Sequence, residues 1–540
     1  MRKFHIDSFA KYESSSLHVL GIVLFFVSLL MVPPMIVGIH FGDNLGIYIV
    51  PMVIGLVISV PLVLFFRNPS VMRPVDGLLM VIELWLALFI FGTIPYLIYG
   101  MGFVDSVFES VSGFTTAGAT IVANLGAMPN GLLVWRAMTQ WVGGIIVVMF
   151  FMFIIPMVVS GGRSLLQNEM SGSGAGNLYL KMGKAAKQYI LVYLILTVVY
   201  FIILMLLGLS AMESSTIALC VISTGGFMVT NDSFTGYPAV IKIAVIFFML
   251  ISATNFYLIY RMVTKREFKA VARNNEFNVM CAWFFGLSIL ICIIMAISGI
   301  WTADSPWESV VDVFFSVISI GTTTGFTTLD YTSEWPFIGL TVLLMVMFVG
   351  GSAGSTAGGV KIKRAIILVK SMVNELRQTI HPSAVYGVRV DKKGVDDSVV
   401  HSATVIILMF FLTIFFGAMV FDTIMNMDEA LFASVALVSG TGPGMGSLFG
   451  DYTSLPNWAK LFACILMFLG RMEIVSVLVF LTPGFWKELV GAKGIQEFRK
   501  NVASVRDRIK NRGDKDAESE GEELPEEGSE DITPEPQPQP

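Results

Sequence analysis

Charge is scarce in this chain: of its 540 residues only 14% are Asp, Glu, Lys or Arg, while 55% are hydrophobic and the mean hydropathy is +0.75. A water-soluble domain of this size needs a more polar surface, so the solvent that fits is a bilayer. Cysteine and histidine are nearly missing as well. The four cysteines, Cys220, Cys281, Cys292 and Cys464, lie inside apolar runs, which argues against a disulfide framework or a zinc spacing and leaves them as packing residues. The five histidines, His5, His18, His40, His381 and His401, have no second ligand at helical spacing. No serine or aspartate cluster pairs a nucleophile with a base. Neither enzyme chemistry, nor a resident cofactor, nor a nucleic-acid partner is expected.

A second absence is local. Residues 100–135, 210–241, 301–336 and 423–459 contain no Lys or Arg. These linkers join ten apolar segments, at 18–39, 45–66, 77–99, 131–159, 188–209, 238–262, 278–300, 337–377 with an interruption, 401–422 and 457–482. Each is near the length of about 20 residues that crosses a bilayer. The first has no small-residue cleavage site and reads as a membrane helix, not a leader. Basic residues gather on the other side, at Arg67 and Arg73, at Arg163, Lys181, Lys184 and Lys187, at Lys265, Arg266, Lys269 and Arg273, and along 361–377. By the positive-inside rule that side, with both termini, is cytoplasmic, and the protein is a multi-pass protein of the cell membrane.

The basic-free linkers instead carry Asp105, Glu109, Glu213, Asp232, Asp304, Glu308, Asp312, Asp330, Glu334, Asp428, Glu429 and Asp451. An acidic outer mouth concentrates cations, although charge sorting alone also clears such linkers of Lys and Arg. The formal net charge is −5, yet 514–540 holds eleven carboxylates against Lys515. The preceding 513 residues therefore carry about +5, by −5 − (−10). That Pro-, Gln- and Glu-rich tail cannot bury a core and is expected to be a disordered appendage.

Each basic-free linker also contains an apolar stretch too short to cross, ending in Thr, Ser and Gly. The four read 108–119 (FESVSGFTTAGA), 216–227 (TIALCVISTGGF), 315–326 (FSVISIGTTTGF) and 432–443 (FASVALVSGTGP). Their shared glycines, Gly118, Gly226, Gly325 and Gly442, are 108, 99 and 117 residues apart, room for one pore helix and two spans each. The expected organisation is an N-terminal helix pair at 1–70, pore repeats at 71–162, 163–264, 265–378 and 379–490, and a cytoplasmic tail at 491–540. The third repeat has an interrupted second helix.

Non-helical backbone at membrane depth survives only where protein buries it or where it lines a water-filled cavity, so four such segments in one chain should meet at a pore. Inward carbonyls replace the water shell of a potassium ion without a fixed charge to trap it. Glycine supplies the positive φ, and neighbouring Thr and Ser add hydroxyl oxygens. The candidate filter is thus Thr115, Thr116, Ala117 and Gly118; Ser223, Thr224, Gly225 and Gly226; Thr322, Thr323, Thr324 and Gly325; and Gly440, Thr441 and Gly442. Each pore helix should point its partial negative C-terminus at the ion.

The fourfold order of helix, pore helix, TTAGA, STGGF or TTTGF segment and helix resembles the Trk/Ktr/HKT superfamily of potassium transporters. The extra N-terminal helices, with MVPPMIVGIHFGD at 31–43, resemble its TrkH branch. The likeness covers about 15–490. It implies an all-α polytopic membrane fold of four helix–pore-loop–helix units around one pore, like a potassium channel, plus two N-terminal helices. It also implies potassium uptake as a homodimer, under a cytoplasmic TrkA-type ring that binds NAD or ATP. Sodium-preferring members often carry serine at the first filter glycine, so Gly118 points to potassium. The fourth segment departs from the pattern, with Pro443 in place of an aromatic, and a looser geometry is expected there.

Below the third filter, residues 337–349 give 13 apolar residues, about 20 Å of helix, before a ten-residue run of Gly, Ser, Ala and Thr. That run is either a close-packing helix face or an intramembrane loop. Gly350 follows its filter glycine by 25 residues, Gly143 follows Gly118 by 25 and Gly470 follows Gly442 by 28, so three second helices should weaken at one depth. In the second repeat only Ser252, Ala253, Thr254 and Asn255 stand there. Arg471 is nearly alone in an apolar run, with Glu473 two residues on and on another face. The resemblance makes the loop and this arginine a constriction, so the candidate gate is Gly350, Gly351, Ser352, Gly354, Gly358, Gly359 and Arg471. Small residues should leave the loop loosely held. Lys361, Lys363, Arg364, Lys370 and Arg377 are candidates for docking an acidic partner or for anchoring alone, and Glu83 is a mid-span carboxyl with no assigned role. An ion-coupled symporter is the alternative, although such proteins usually show inverted repeats and midplane carboxylates.

Overall fold

The computed structural model describes residues 3–66, 74–159, 176–300, 305–384, 386–391 and 393–487. Arg67, Arg73, Arg163, Asp304, the side chains of Lys181 and Lys184, and the acidic tail lie outside the described residues. Of the described residues, those within 10–481 form one compact unit; 3–9 and 482–487 belong to a second, in which 3–9 and 483–487 are helical.

Helices dominate. Among the described residues the sole sheet is a two-residue hairpin, Arg389–Val390 antiparallel to Lys393–Gly394, with Arg389 opposite Gly394. Seven helices among the described residues are long and apolar enough to cross a membrane. Two more crossings are bent pairs: Ala239–Ser252 with Phe256–Lys265 at 103°, and Asn457–Arg471 with Ile474–Leu481 at 109°. These nine match nine of the ten expected spans. The tenth divides into Phe337–Val349, an irregular loop and Ile362–Ile380. The chain is an all-α polytopic membrane protein.

Apart from helical pieces of three to five residues, the described helices between Phe65 and Thr482 fall into four triplets. The first is Pro74–Tyr99, Phe103–Phe114 and Asn130–Val159; the second is Gly176–Leu206, Ala211–Ser223 and the first bent pair. The third is Asn275–Ser298, Pro306–Gly321 and the interrupted helix, and the fourth is Asp397–Phe421, Met427–Ser439 and the second bent pair. The middle helices have 12, 13, 16 and 13 residues, well short of a crossing. Local chemistry sets where they start. The Ser210 hydroxyl accepts from the Glu213 N–H at 3.2 Å while the Glu213 carboxylate accepts from the Ser210 N–H at 3.1 Å, a capping box. The Ser305 hydroxyl accepts from the Glu308 N–H at 3.3 Å, ahead of Pro306 at the first turn.

Each second helix packs on the middle helix of the next triplet: Asn130–Val159 on Ala211–Ser223, Ala239–Ser252 on Pro306–Gly321, and Phe337–Val349 on Met427–Ser439. Asn457–Arg471 returns to Phe103–Phe114 and closes the ring. The short helices are its buried centre, where Phe108, Phe114, Ile217, Phe315 and Ala433 are fully enclosed. Glu83, unassigned from sequence, accepts from the Ser16 hydroxyl at 2.5 Å, which ties the first helix to the first triplet.

Candidate functional site

After each middle helix the chain makes the same unusual turn. Positive φ occurs at Thr116 and Gly118, Thr224 and Gly226, Thr323 and Gly325, and Gly440 and Gly442. A left-handed residue with a Cβ costs about 1–2 kcal/mol, so three threonines must be held there. One repeated hydrogen bond does so: Ala117 N–H to Ser112 O at 3.0 Å, Gly225 to Cys220 at 2.9 Å, Thr324 to Ser319 at 2.8 Å and Thr441 to Ala436 at 2.9 Å. The fourth segment is therefore not looser. It puts glycine, Gly440, at the position where the others strain a threonine, and follows the same path.

The four segments touch in sequence order. A Cβ added to Gly118 would collide with the Gly225 carbonyl oxygen, one on Gly226 with that of Thr324, one on Gly325 with that of Thr441, and one on Gly442 with that of Ala117. Only glycine permits this approach, and the contacts form a closed ring. Thr116, Thr224 and Thr323 are fully buried, yet no hydrogen-bond donor among the described residues reaches their carbonyl oxygens or that of Gly440. A buried carbonyl normally has a partner, so this layer of oxygens is suited to a cation. Three other candidate oxygens are engaged by side chains: Ser223 O accepts from the Thr224 hydroxyl at 2.7 Å, Gly225 O from Gln140 Nε2 at 2.6 Å, and Gly442 O from the Tyr452 hydroxyl at 2.8 Å. Gln140 also accepts from the Phe227 N–H at 3.1 Å, bracing the second segment from both sides.

The glycine-rich run is a loop, seated against the C-terminal ends of three middle helices. Gly358 N–H donates to the Thr323 hydroxyl at 2.7 Å, Gly359 N–H to Ser439 O at 3.1 Å, and the Thr356 hydroxyl to Ile222 O at 3.0 Å. Asn255 Nδ2 donates to Ala353 O at 2.8 Å, the Ala353 N–H to Glu276 at 2.5 Å, and Arg471 Nη1 to Thr356 O at 2.9 Å. The loop is thus pinned, contrary to the expectation that small residues leave it loosely held; they instead let backbones approach within hydrogen-bonding distance. Arg471 is 6% exposed, and its Nε and Nη2 have no hydrogen-bond partner among the described residues.

Two further sequence expectations change. Gly143 and Gly144 do not weaken their helix, since Asn130–Val159 is continuous; they admit the Phe114 carbonyl and the Tyr193 and Ser223 side chains. The second triplet, which lacks glycines there, does break, at Ser252–Asn255, where Asn255 caps the next helix by accepting from Tyr257 N–H at 2.8 Å. Among the basic docking candidates, Lys361 is buried with its ammonium 2.5 Å from Ala357 O, and Arg364 is ion-paired with Glu473. Lys370 donates to Arg389 O at 2.8 Å, while Arg377 is exposed.

On the other side of the ring, three expected mouth carboxylates are neutralised. Arg136 pairs with Glu109 at 2.6 Å, Lys242 with Asp312 at 2.6 Å and Lys460 with Asp105 at 2.8 Å. The first pair is fully buried, and Arg136 also donates to Met228 O at 3.1 Å and lies 4.1 Å from the Phe227 ring centre. Each of the three cations is the first basic residue after a basic-free linker, a signal legible in the sequence. Of the carboxyls that remain, Glu213 is held below the usual range by its hydrogen bond from Ser210. Glu334 is pushed up by burial and by Asp330 and Asp312.

The profile of the TrkH family, described as cation transport protein, matches residues 57–487. The Trk system potassium uptake protein TrkH of Halomonas elongata is 31% identical over 487 residues, 87% of this chain and 99% of that protein. The protein of the same name from Escherichia coli K12 is 30% identical, over 87% and 98% of the two chains. The crystal structure of the potassium transporter TrkH from Vibrio parahaemolyticus superimposes with a TM-score of 0.79 at 27% identity, covering 88% of this chain and 99% of that one.

Proposed function

Since this chain belongs to the TrkH family of cation transport proteins, a family of transporters and not of enzymes, we propose that it carries potassium into the cell through the ring of four glycine-centred segments. The observation that carries this reading is the layer of donor-free carbonyls at Thr116, Thr224, Thr323 and Gly440, set by four equivalent turns. A closed ring of backbone oxygens at the C-terminal ends of four short helices suits a dehydrated monovalent cation. In this reading the filter is Thr115–Gly118, Ser223–Gly226, Thr322–Gly325 and Gly440–Gly442, and four parallel pore repeats surround one pathway.

The loop from Gly350 to Gly359 and Arg471 form the gate. A unit positive charge about 6 Å from a cation, at an effective dielectric near 20, opposes it by roughly 3 kcal/mol, on the order of a hundredfold in rate. A cytoplasmic nucleotide-binding ring of the TrkA type lifts this barrier by moving Ile362–Ile380, which follows the loop directly, and docks on exposed basic residues such as Arg377. The chain works as a homodimer with both termini cytoplasmic, as the family likeness suggests.

Rubidium uptake into vesicles that hold the purified chain alone tests the reading. Arg471→Ala combined with a shortened loop is expected to raise flux by one to two orders of magnitude. Flux no higher than that of the unaltered chain removes the gate from these residues. Flux that follows the potassium gradient and ignores an imposed proton or sodium gradient fits a channel-like path, whereas uphill uptake driven by either gradient returns the coupled symporter.

A further inference from the structure

Between the second and third triplets the chain turns through Arg266 and the five-residue helix Phe268–Ala272 before Asn275–Ser298 begins. This turn and Asp391 of the small hairpin border an open surface cavity of about 660 Å³. Arg261, Arg266, Lys269 and Arg273 line it, with Glu267 and Asp391 as the carboxylates. Both carboxylates are engaged: Glu267 pairs with Arg261, and Asp391 accepts from the Asn275 N–H at 3.0 Å. Arg266, Lys269 and Arg273 have no ion-pair partner among the described residues. The turn that carries them is built, because the Arg266 and Glu267 N–H groups both donate to Arg261 O and hold Arg266 at φ +54°.

Charge sorting explains basic residues near a span's end, but not their convergence on one cavity with net positive charge. A phosphodiester fits that cavity, since guanidinium groups bind phosphate oxygens in pairs. The surroundings favour a lipid as its source. The preceding helix, Phe256–Lys265, ends a bent crossing, and the apolar side chains of Phe268, Tyr257 and Val263 are 65%, 48% and 45% exposed. They offer an aromatic and aliphatic surface for glycerol and acyl groups beside the cations. We propose that this cavity binds the phosphate headgroup of an anionic phospholipid.

Native mass spectrometry of the purified full chain, titrated with dioleoyl phosphatidylglycerol or dioleoyl phosphatidylcholine, tests this. Phosphatidylglycerol is expected to show one tight-binding equivalent that phosphatidylcholine lacks. Binding of that equivalent should weaken at least about tenfold in Arg266→Gln/Lys269→Gln/Arg273→Gln. The charge-keeping Arg266→Lys/Arg273→Lys variant, which loses only the paired guanidinium contacts, should bind it more tightly than the triple variant does, which separates lost charge from lost fold. Equal retention of the two lipids, or undiminished phosphatidylglycerol on the triple variant, overturns the site. Displacement of the lipid by inorganic phosphate at the lipid's own concentration overturns the lipid as its source.

Discussion

Gly118 is required twice over, by its φ of +77° and by the Gly225 carbonyl that a Cβ would strike. Gly118→Ser therefore moves two segments at once, and potassium-over-sodium selectivity in a flux assay is expected to fall about tenfold, the equivalent of the 1–2 kcal/mol that a left-handed side chain costs. Unchanged selectivity would take Gly118 out of the filter. Glu334 gives a prediction of another kind. Its raised pKa means that the folded chain holds this proton more tightly than the unfolded one. Stability then falls as pH rises from the ordinary carboxyl value through the raised one. The thermal midpoint in detergent should show that fall, and Glu334→Gln should flatten it; identical pH profiles would dismiss the assignment. At this scale the sequence was readable where residues repeat. Four Thr/Ser/Gly runs reported the turns because each needs positive φ at the same place. Gln140 gave no such signal, since it is one polar residue in an apolar helix whose partner is chosen by packing 85 residues away.

The second helices show how an element can be misread. Gly143 and Gly144 look like a weak point, but close packing against the Phe114 carbonyl needs small residues in an unbroken helix. Conversely, Ser252–Asn255 has no glycine and still bends by 103°, because Asn255 can cap a new helix and bond the glycine-rich loop together. The interruption after Val349 was legible, since 13 residues of helix cannot reach across. Its anchoring was not, because backbone acceptors such as Ile222 O and Ser439 O leave no mark in side-chain type. Asn255→Ala removes one hydrogen bond to the loop, about 1 kcal/mol, and so on the proposed reading should raise basal rubidium flux roughly fivefold by freeing the loop. A basal flux equal to that of the unaltered chain would show that Asn255 does not hold the loop closed.

Across the whole molecule the ring is closed by joins between its last and first triplets. Lys460 pairs with Asp105 at 2.8 Å, and the Tyr452 N–H donates to Thr120 O at 2.8 Å. Lys460→Gln leaves a partly exposed carboxylate without its cation, and the expected loss is about 1–2 kcal/mol of stability, read as a lower thermal midpoint, with little change in selectivity. A midpoint equal to that of the unaltered chain would make this pair incidental. The same closure has a consequence during synthesis. Residues that touch across the join are more than 300 positions apart, and Gly442 meets Ala117 only after nearly the whole chain has been made. A ribosome that stalls after three triplets leaves three arcs of an unfinished annulus, without Arg471 and without the fourth set of oxygens. On the proposed reading, ionic leak from nascent chains would be limited by the order of the gene: the last segment inserted supplies Gly440–Gly442 and, within 30 residues, Arg471, the proposed barrier in the pathway just completed.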